Sequence, residues 1–183
     1  MSASIFWDNS NIWLVGQNVC RRKEPKHEFE FRIHFENLIQ FVAGDRTVSY
    51  IYAAGSVPPP NDGVWNWLRK LKVELETQER SSSGEVAVDE VIQLAMVNRA
   101  LDICPKHETF ILLTGDGAGY GQGKGFIKQL ERVLKLGNKI EVASWDDGCN
   151  SRLKDFAKAN GVYRPLDTVY NRVTFINNYR WAK

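Results

Sequence analysis

The chain has 183 residues, 43% of them hydrophobic and 25% charged, with a net charge of +2, which suits one soluble domain spanning residues 1–183 around a real core. No apolar run is longer than a strand, and Met1-Ser2-Ala3-Ser4 leads straight into one, so neither a membrane span nor a signal-peptide core is expected. Cys20, Cys104 and Cys149 lie far apart with no C-x-x-C pair, and His27, His34 and His107 are isolated, which excludes a zinc knuckle or a disulfide frame and points to a reduced, cytoplasmic chain.

In chain order, "SIFWD" (4–8) reads as a short apolar strand ending on Asp8, and the polar stretch 18–30, "NVCRRKEPKHEFE", as a loop. "HFENLIQFVAG" (34–44) carries Phe35, Leu38, Ile39 and Val42 at helical spacing and stops at Gly44. "TVSYIYAAG" (47–55) is β-branched and aromatic, a strand, broken by Pro58-Pro59-Pro60. A short helix is predicted over 62–71, a strand over 72–79 and a polar loop over 80–85. Residues 86–102 form a long helix with its apolar stripe at Val88, Val91, Ile92, Ala95 and Leu101. A buried strand (109–116), a helix (125–137), a strand (139–145) and a last helix (151–161) follow. Strict alternation of strand and helix means an α/β fold with a parallel sheet sandwiched between helices.

In such a sheet ligands bind at the carboxyl ends of the strands, near the point where strand order reverses. Asp8 ends the first strand, Asp116 the fourth, and Asp146 follows the fifth, while Asp89 sits in the first turn of the long helix. If the first and fourth strands are neighbours, these carboxylates converge, and a divalent cation would relieve their repulsion. Oxygen-only ligands suit Mg2+ or Mn2+, which keep several waters and accept a phosphate oxygen. A plainer reading stands beside this one: Asp8 and Asp116 as helix N-caps, Asp89 as a first-turn charge, Asp146-Asp147 as a turn before Gly148.

Charge is unevenly spread. Residues 121–183 carry 12 Lys and Arg against 6 Asp and Glu, residues 1–120 carry 12 against 16. Such a basic third could lay an anionic polymer beside a carboxylate site, or simply provide solvated helix faces. Between Asp116 and the next helix stand five alternating glycines and Lys124. The loop fails the Walker pattern, since Ala118 and Gly125 occupy the required Gly and Ser/Thr positions, and Gln122 breaks the dinucleotide fingerprint. A phosphatase of the haloacid-dehalogenase type would want an aspartate where Ser10 stands. Trp7 and Trp145 alternate away from their neighbouring acids and read as core; Trp65 and Trp67 cannot share a helix face, so one should be exposed.

"IFWDNSN" at 5–11, an early Asp in a long helix after a loop, "LLTGD" before a helix, the "KIEVASW" strand and the final "VYNRVTFI" together resemble the NYN domain, a family of PIN-like ribonucleases, over about residues 4 to 176. The resemblance implies a three-layer α/β/α sandwich and divalent-metal-dependent cleavage of RNA. By position it assigns Asp8, Asn11, Asp89 and Asp116 to the catalytic metal site, with Asn11 hydrogen-bonding ligand, water or phosphate. A two-metal site needs a further carboxylate: either Asp146, placed by its strand end, joins the metal ligands, or one metal binds, or activity is weak or gone. Ser10, Lys124 and Lys128 are expected to hold the RNA backbone, with the glycine loop as a mobile flap on the substrate side. Two departures matter. The second aspartate that usually follows Thr-Gly-Asp is replaced by Gly117-Ala118, and the long helix has Ala95 or Met96 where a further acid often stands. Three functions follow: a metal-dependent ribonuclease, a PIN-like module that binds RNA or protein without cutting, and a small-phosphoester hydrolase.

Overall fold

The structure, a computed structural model, describes residues 2–57, 70, 74–79 and 86–182. Except for Lys70, the helix predicted over 62–71 lies outside the described residues, as do the proline break, the 80–85 loop, and Trp65 and Trp67. Six strands form one parallel sheet: β1 (Ser2–Asp8), β3 (Thr47–Val57), β4 (Glu74–Glu79), β5 (Thr109–Leu113), β6 (Lys139–Ser144) and β7 (Val162–Pro165), in the order β4-β3-β1-β5-β6-β7. The chain winds outward from β1 in one direction and then from β5 in the other. The switch point therefore falls between β1 and β5, paired in parallel from Ala3–Thr109 to Trp7–Leu113.

The central strands are covered on both faces, so they read as apolar runs without alternation: Ala3 to Trp7 and Phe110 to Leu113 are buried throughout. On one face, Ile5, Trp7, Ile111 and Leu113 pack against α1 (Asn9–Lys23) and α2 (Phe35–Ala43). On the other, Phe6, Phe110, Leu112 and Val142 pack against α3 (Val86–Asp102), α4 (Gly125–Lys135) and α5 (Ser151–Asn160). This is the expected three-layer α/β/α sandwich. Trp7 and Trp145 are fully buried, and the Trp145 indole donates to Ile12 O at 2.7 Å, so both belong to the core.

Three details depart from expectation. The stretch 18–30 is not all loop, because α1 continues to Lys23; its buried stripe, Ile12, Gly16, Val19 and Cys20, has helical spacing but is interrupted by asparagines that favour turns. On α3 the buried stripe is Val88, Ile92, Met96 and Ala100, four residues apart, and Leu101 is 56% exposed instead of closing the stripe. After Gly161 the chain adds β7, a short helix α6 (Tyr170–Val173) and β8 (Thr174–Ile176), which pairs antiparallel with β2 (Phe31–Ile33) as a separate two-stranded sheet. No described helix is long and apolar enough to cross a membrane.

Candidate functional site

The carboxyl ends of β1 and β5 meet in a set of hydrogen bonds centred on Asp8. Asp8 ends β1 and caps α1, its Oδ1 accepting from the Asn11 backbone N–H at 2.9 Å. Its Oδ2 accepts from the Thr114 hydroxyl at 3.0 Å, across the switch point. Asn11 answers in the other direction: its Oδ1 accepts from Gly115 N–H at 2.8 Å. Asp8 and Asn11 are thus locked onto the Thr114-Gly115-Asp116 turn, and Asp8 is 4% exposed. Within the turn, Asp116 N–H donates to Thr114 Oγ1 at 3.2 Å, and Asp116 Oδ1 accepts from Ala118 N–H at 3.0 Å.

Asp89, at the first turn of α3, faces this turn. Burial, a hydrogen bond shared with Asp116, and the negative charge of Asp8 push its carboxyl up to about 8. The fold therefore brings Asp8, Asp89 and Asp116 within electrostatic reach of one another. Among the described residues, however, no three acids, histidines or cysteines stand close enough to hold an ion jointly. The donor set is oxygen-only, and a cation would offset the burial and negative charge that push the Asp89 carboxyl up. Such a set fits one hard cation that retains most of its water, held through one or two carboxylates.

The other expected site residues lie differently. Asp146 follows β6 in a single 3-10 turn, and its carboxylate is taken by Lys154 (2.7 Å) and the Tyr163 hydroxyl (3.2 Å). The Lys154 ammonium holds it below the usual carboxylate range, so it does not share the strain of the Asp89 pair. Ser10 is half-buried in the first turn of α1. Lys124 is exposed at the N-cap position of α4. Lys128 is committed to Glu131 at 2.6 Å, and Glu131 also accepts from the Tyr120 hydroxyl at 2.8 Å.

Two residues that sequence reading passed over support the turn. Thr114 supplies the hydroxyl that holds Asp8. Asn150 donates its backbone N–H to Gly115 O at 2.8 Å, while its side chain caps α5. A Cβ on Gly115 would strike Gly148 O and come within 2.9 Å of Ser144 Oγ, and one on Gly117 would run into the Asn150 side chain. Thr-Gly-Asp was legible as a strand end. That its glycine lies under the 146–150 turn is a tertiary fact without a local signal.

A search of curated proteins finds no match. A crystal structure of a protein of unknown function from Vibrio parahaemolyticus shares the fold, with a TM-score of 0.63 over 91% of this chain and 93% of that one at 19% identity. The family model of the NYN domain matches residues 2–162. With that match spanning the whole sheet up to the start of β7, the chain belongs to the NYN domain family and is a nuclease-like module of the PIN type.

Proposed function

We propose that this chain is a divalent-metal-dependent ribonuclease, with Asp8, Asp89, Asp116 and Asn11 as its catalytic site. The observation that carries the reading is Asp89 on α3, sharing a hydrogen bond with Asp116 in the turn after β5 and facing the charge of Asp8 at the end of the neighbouring β1. The carboxyl of Asp89 is then too strained to ionise normally. Structural N-caps alone do not account for a buried Asp89 that shares a hydrogen bond with Asp116 and faces the charge of Asp8. A Mg2+ or Mn2+ ion bound there would polarise a phosphoryl oxygen and activate a water. The chain's own part is positioning. Thr114 and the α1 amide orient Asp8, Gly115 orients Asn11, and Ala118 N–H fixes Asp116. The Asn11 amide nitrogen would donate to a phosphate oxygen or water, its oxygen being held by Gly115 N–H. Lys124 would contribute a screened charge to the RNA backbone.

A second reading has specific support: an RNA-binding module that no longer cuts. Gly117-Ala118 supplies no second acid, Met96 is fully buried, and the described acids do not form a ready three-ligand set. Cleavage of a fluorescent single-stranded RNA with Mg2+ or Mn2+ separates the two. For the ribonuclease, Asp116→Asn should lower the rate roughly 100-fold or more, because several kcal/mol of transition-state stabilisation are removed, and RNA binding should persist. A wild-type chain that binds the RNA but cuts it no faster than Asp116→Asn would leave only the binding module.

A further inference from the structure

The two-stranded β2–β8 sheet turns one face to the core and the other outward. Phe31, Ile33, Thr174 and Ile176 point inward and are buried, so Arg32 and its cross-strand neighbour Phe175 lie on the outer face. After β8 the chain doubles back. Arg180 N–H donates to Ile176 O at 3.0 Å, and Ile176 N–H to Arg180 O at 2.7 Å. The Arg180 side chain is clamped inward by Glu24 (2.7 Å) and Thr174 O (2.8 Å). This strap presents its two neighbours to solvent, Tyr179 62% and Trp181 78% exposed. Neither ring is loose: Trp181 stacks on Phe175 (6.0 Å, 16°), and Tyr179 stacks on His27 (4.1 Å, 15°). Phe29, 76% exposed, stands on the same connection as His27, and its carbonyl accepts from the Arg32 guanidinium at 2.8 Å.

We propose that this aromatic face, formed by Phe175, Trp181, Tyr179 and His27, is a stacking platform for the bases of single-stranded RNA, outside the carboxylate site; it rests on the reading of the chain as an RNA-directed module. Two observations select this occupant. The rings are paired in near-parallel stacks with an open outer surface, the geometry on which a base adds as the next layer, and every base has such a surface. The segments that build it, 21–34 and 171–182, carry 7 Lys and Arg against 3 Glu; Arg21, Arg22 and Arg180 are paired with Glu28, Asp147 and Glu24, which leaves Lys23, Lys26, Arg32 and Arg172 without a carboxylate partner among the described residues. Arg32, on the outer face beside Phe175, donates to the Phe29 and Phe31 carbonyls and to no described carboxylate, so its charge stands beside the rings where a backbone phosphate would run.

The test is binding of a fluorescein-labelled single-stranded oligouridine in EDTA, followed by anisotropy, for the wild type, Trp181→Ala, Trp181→Leu and Trp181→Phe. Loss of one stacked base should weaken binding roughly tenfold or more in Trp181→Ala. Trp181→Leu should not recover it, because leucine is apolar but has no flat face, whereas Trp181→Phe should. Melting temperature should be unchanged in all four, since the side chain is exposed. Wild-type binding that Trp181→Ala leaves intact overturns the platform while the RNA reading stands. No binding by the wild type overturns the RNA reading and the platform with it. If sedimentation shows a dimer that Trp181→Ala dissociates with oligonucleotide affinity unchanged, the face belongs to a second copy and the platform is overturned.

Discussion

Gly115 and Gly121 belong to one glycine-rich stretch, yet the structure asks opposite things of them. A methyl group on Gly115 would collide with the Gly148 carbonyl and crowd Ser144, so the 144–150 turn would have to move. A methyl group on Gly121 meets nothing within 4 Å, and its backbone is not in the left-handed region. Gly115→Ala should therefore lower stability by about 1–3 kcal/mol, the range for overpacking a close contact. Gly121→Ala should be neutral or add about 0.4–1 kcal/mol by restricting the unfolded chain. Urea unfolding of the two variants checks this, and equal effects would show that the turn is looser than its packing. Gly125 is a third case: at φ +81, and with the Ala118 carbonyl against its Cβ position, it is held to glycine on two counts. Sequence reading treated Gly117, Gly119, Gly121, Gly123 and Gly125 as equivalent sources of freedom and did not weigh Gly115. Residue by residue, some are demanded by close approach or backbone sign, and the rest are open.

At the scale of elements, the central strands were the most legible part, because a strand buried on both faces must be largely apolar: β5 is, and inside β1 and β6 only the buried Ser4 and Glu141 break the pattern. The end of β1 was equally plain, since Asp8 interrupts that run, whereas β5, expected to reach Asp116, ends at Leu113 and leaves Thr114-Gly115-Asp116 as a turn. Helix α1 was not. Its first turn is Asn9-Ser10-Asn11 and its stripe includes Gly16, where a Cβ would stand 2.6 Å from the Phe31 ring; the helix is specified by what packs on it more than by its own propensity. The strands β7 and β8 were missed for a related reason, being three to four residues long and at the sheet margins. Helix α5 shows how such an element supports the site. Its N-cap Asn150 accepts from Arg152 N–H at 3.0 Å and holds Gly115 through its own backbone. Asn150→Ala should cost about 1 kcal/mol, and Asn150→Ser should recover most of it, because serine caps comparably. Thermal unfolding of the three proteins measures the difference. Equal losses for Ala and Ser would mean that the amide acts through its packing on Gly117 and not as a cap.

Across the whole molecule, the basic excess of the last third turns inward as well as outward: Lys128, Lys154, Arg164 and Arg180 are each spent on a carboxylate. Sequence counts register charges but not partners, and so overstate what remains for an anionic polymer. Two carboxylates tie distant parts of the chain together. Glu108 joins β1, β3 and α3 through Ser4, Ser49 and Arg99, and Glu141 on β6 accepts from Arg46 Nη1 (2.7 Å) and from Arg164 Nε on β7 (2.8 Å). Burial pushes both carboxyls up, but hydrogen bonds outweigh it and both end below the ordinary glutamate value of 4.5: the Ser4, Ser49 and Arg99 side chains act on Glu108, and the Arg46 and Arg164 guanidiniums on Glu141. The sign follows. The unfolded chain takes up these protons first as pH falls, so the stabilisation is complete above about 4.5 and is lost as pH drops through the lower native values. Glu141→Gln should destabilise by about 1.5–3 kcal/mol at neutral pH, the worth of hydrogen bonds to a charged group. The gap from wild type should narrow as acid protonates the native carboxylate. Urea midpoints measured from about pH 7 down to about pH 3 give both curves. A gap that stays constant across that range would mean that Glu141 acts through shape and not through its charge, and the two arginines would then be held by solvent rather than by the sheet.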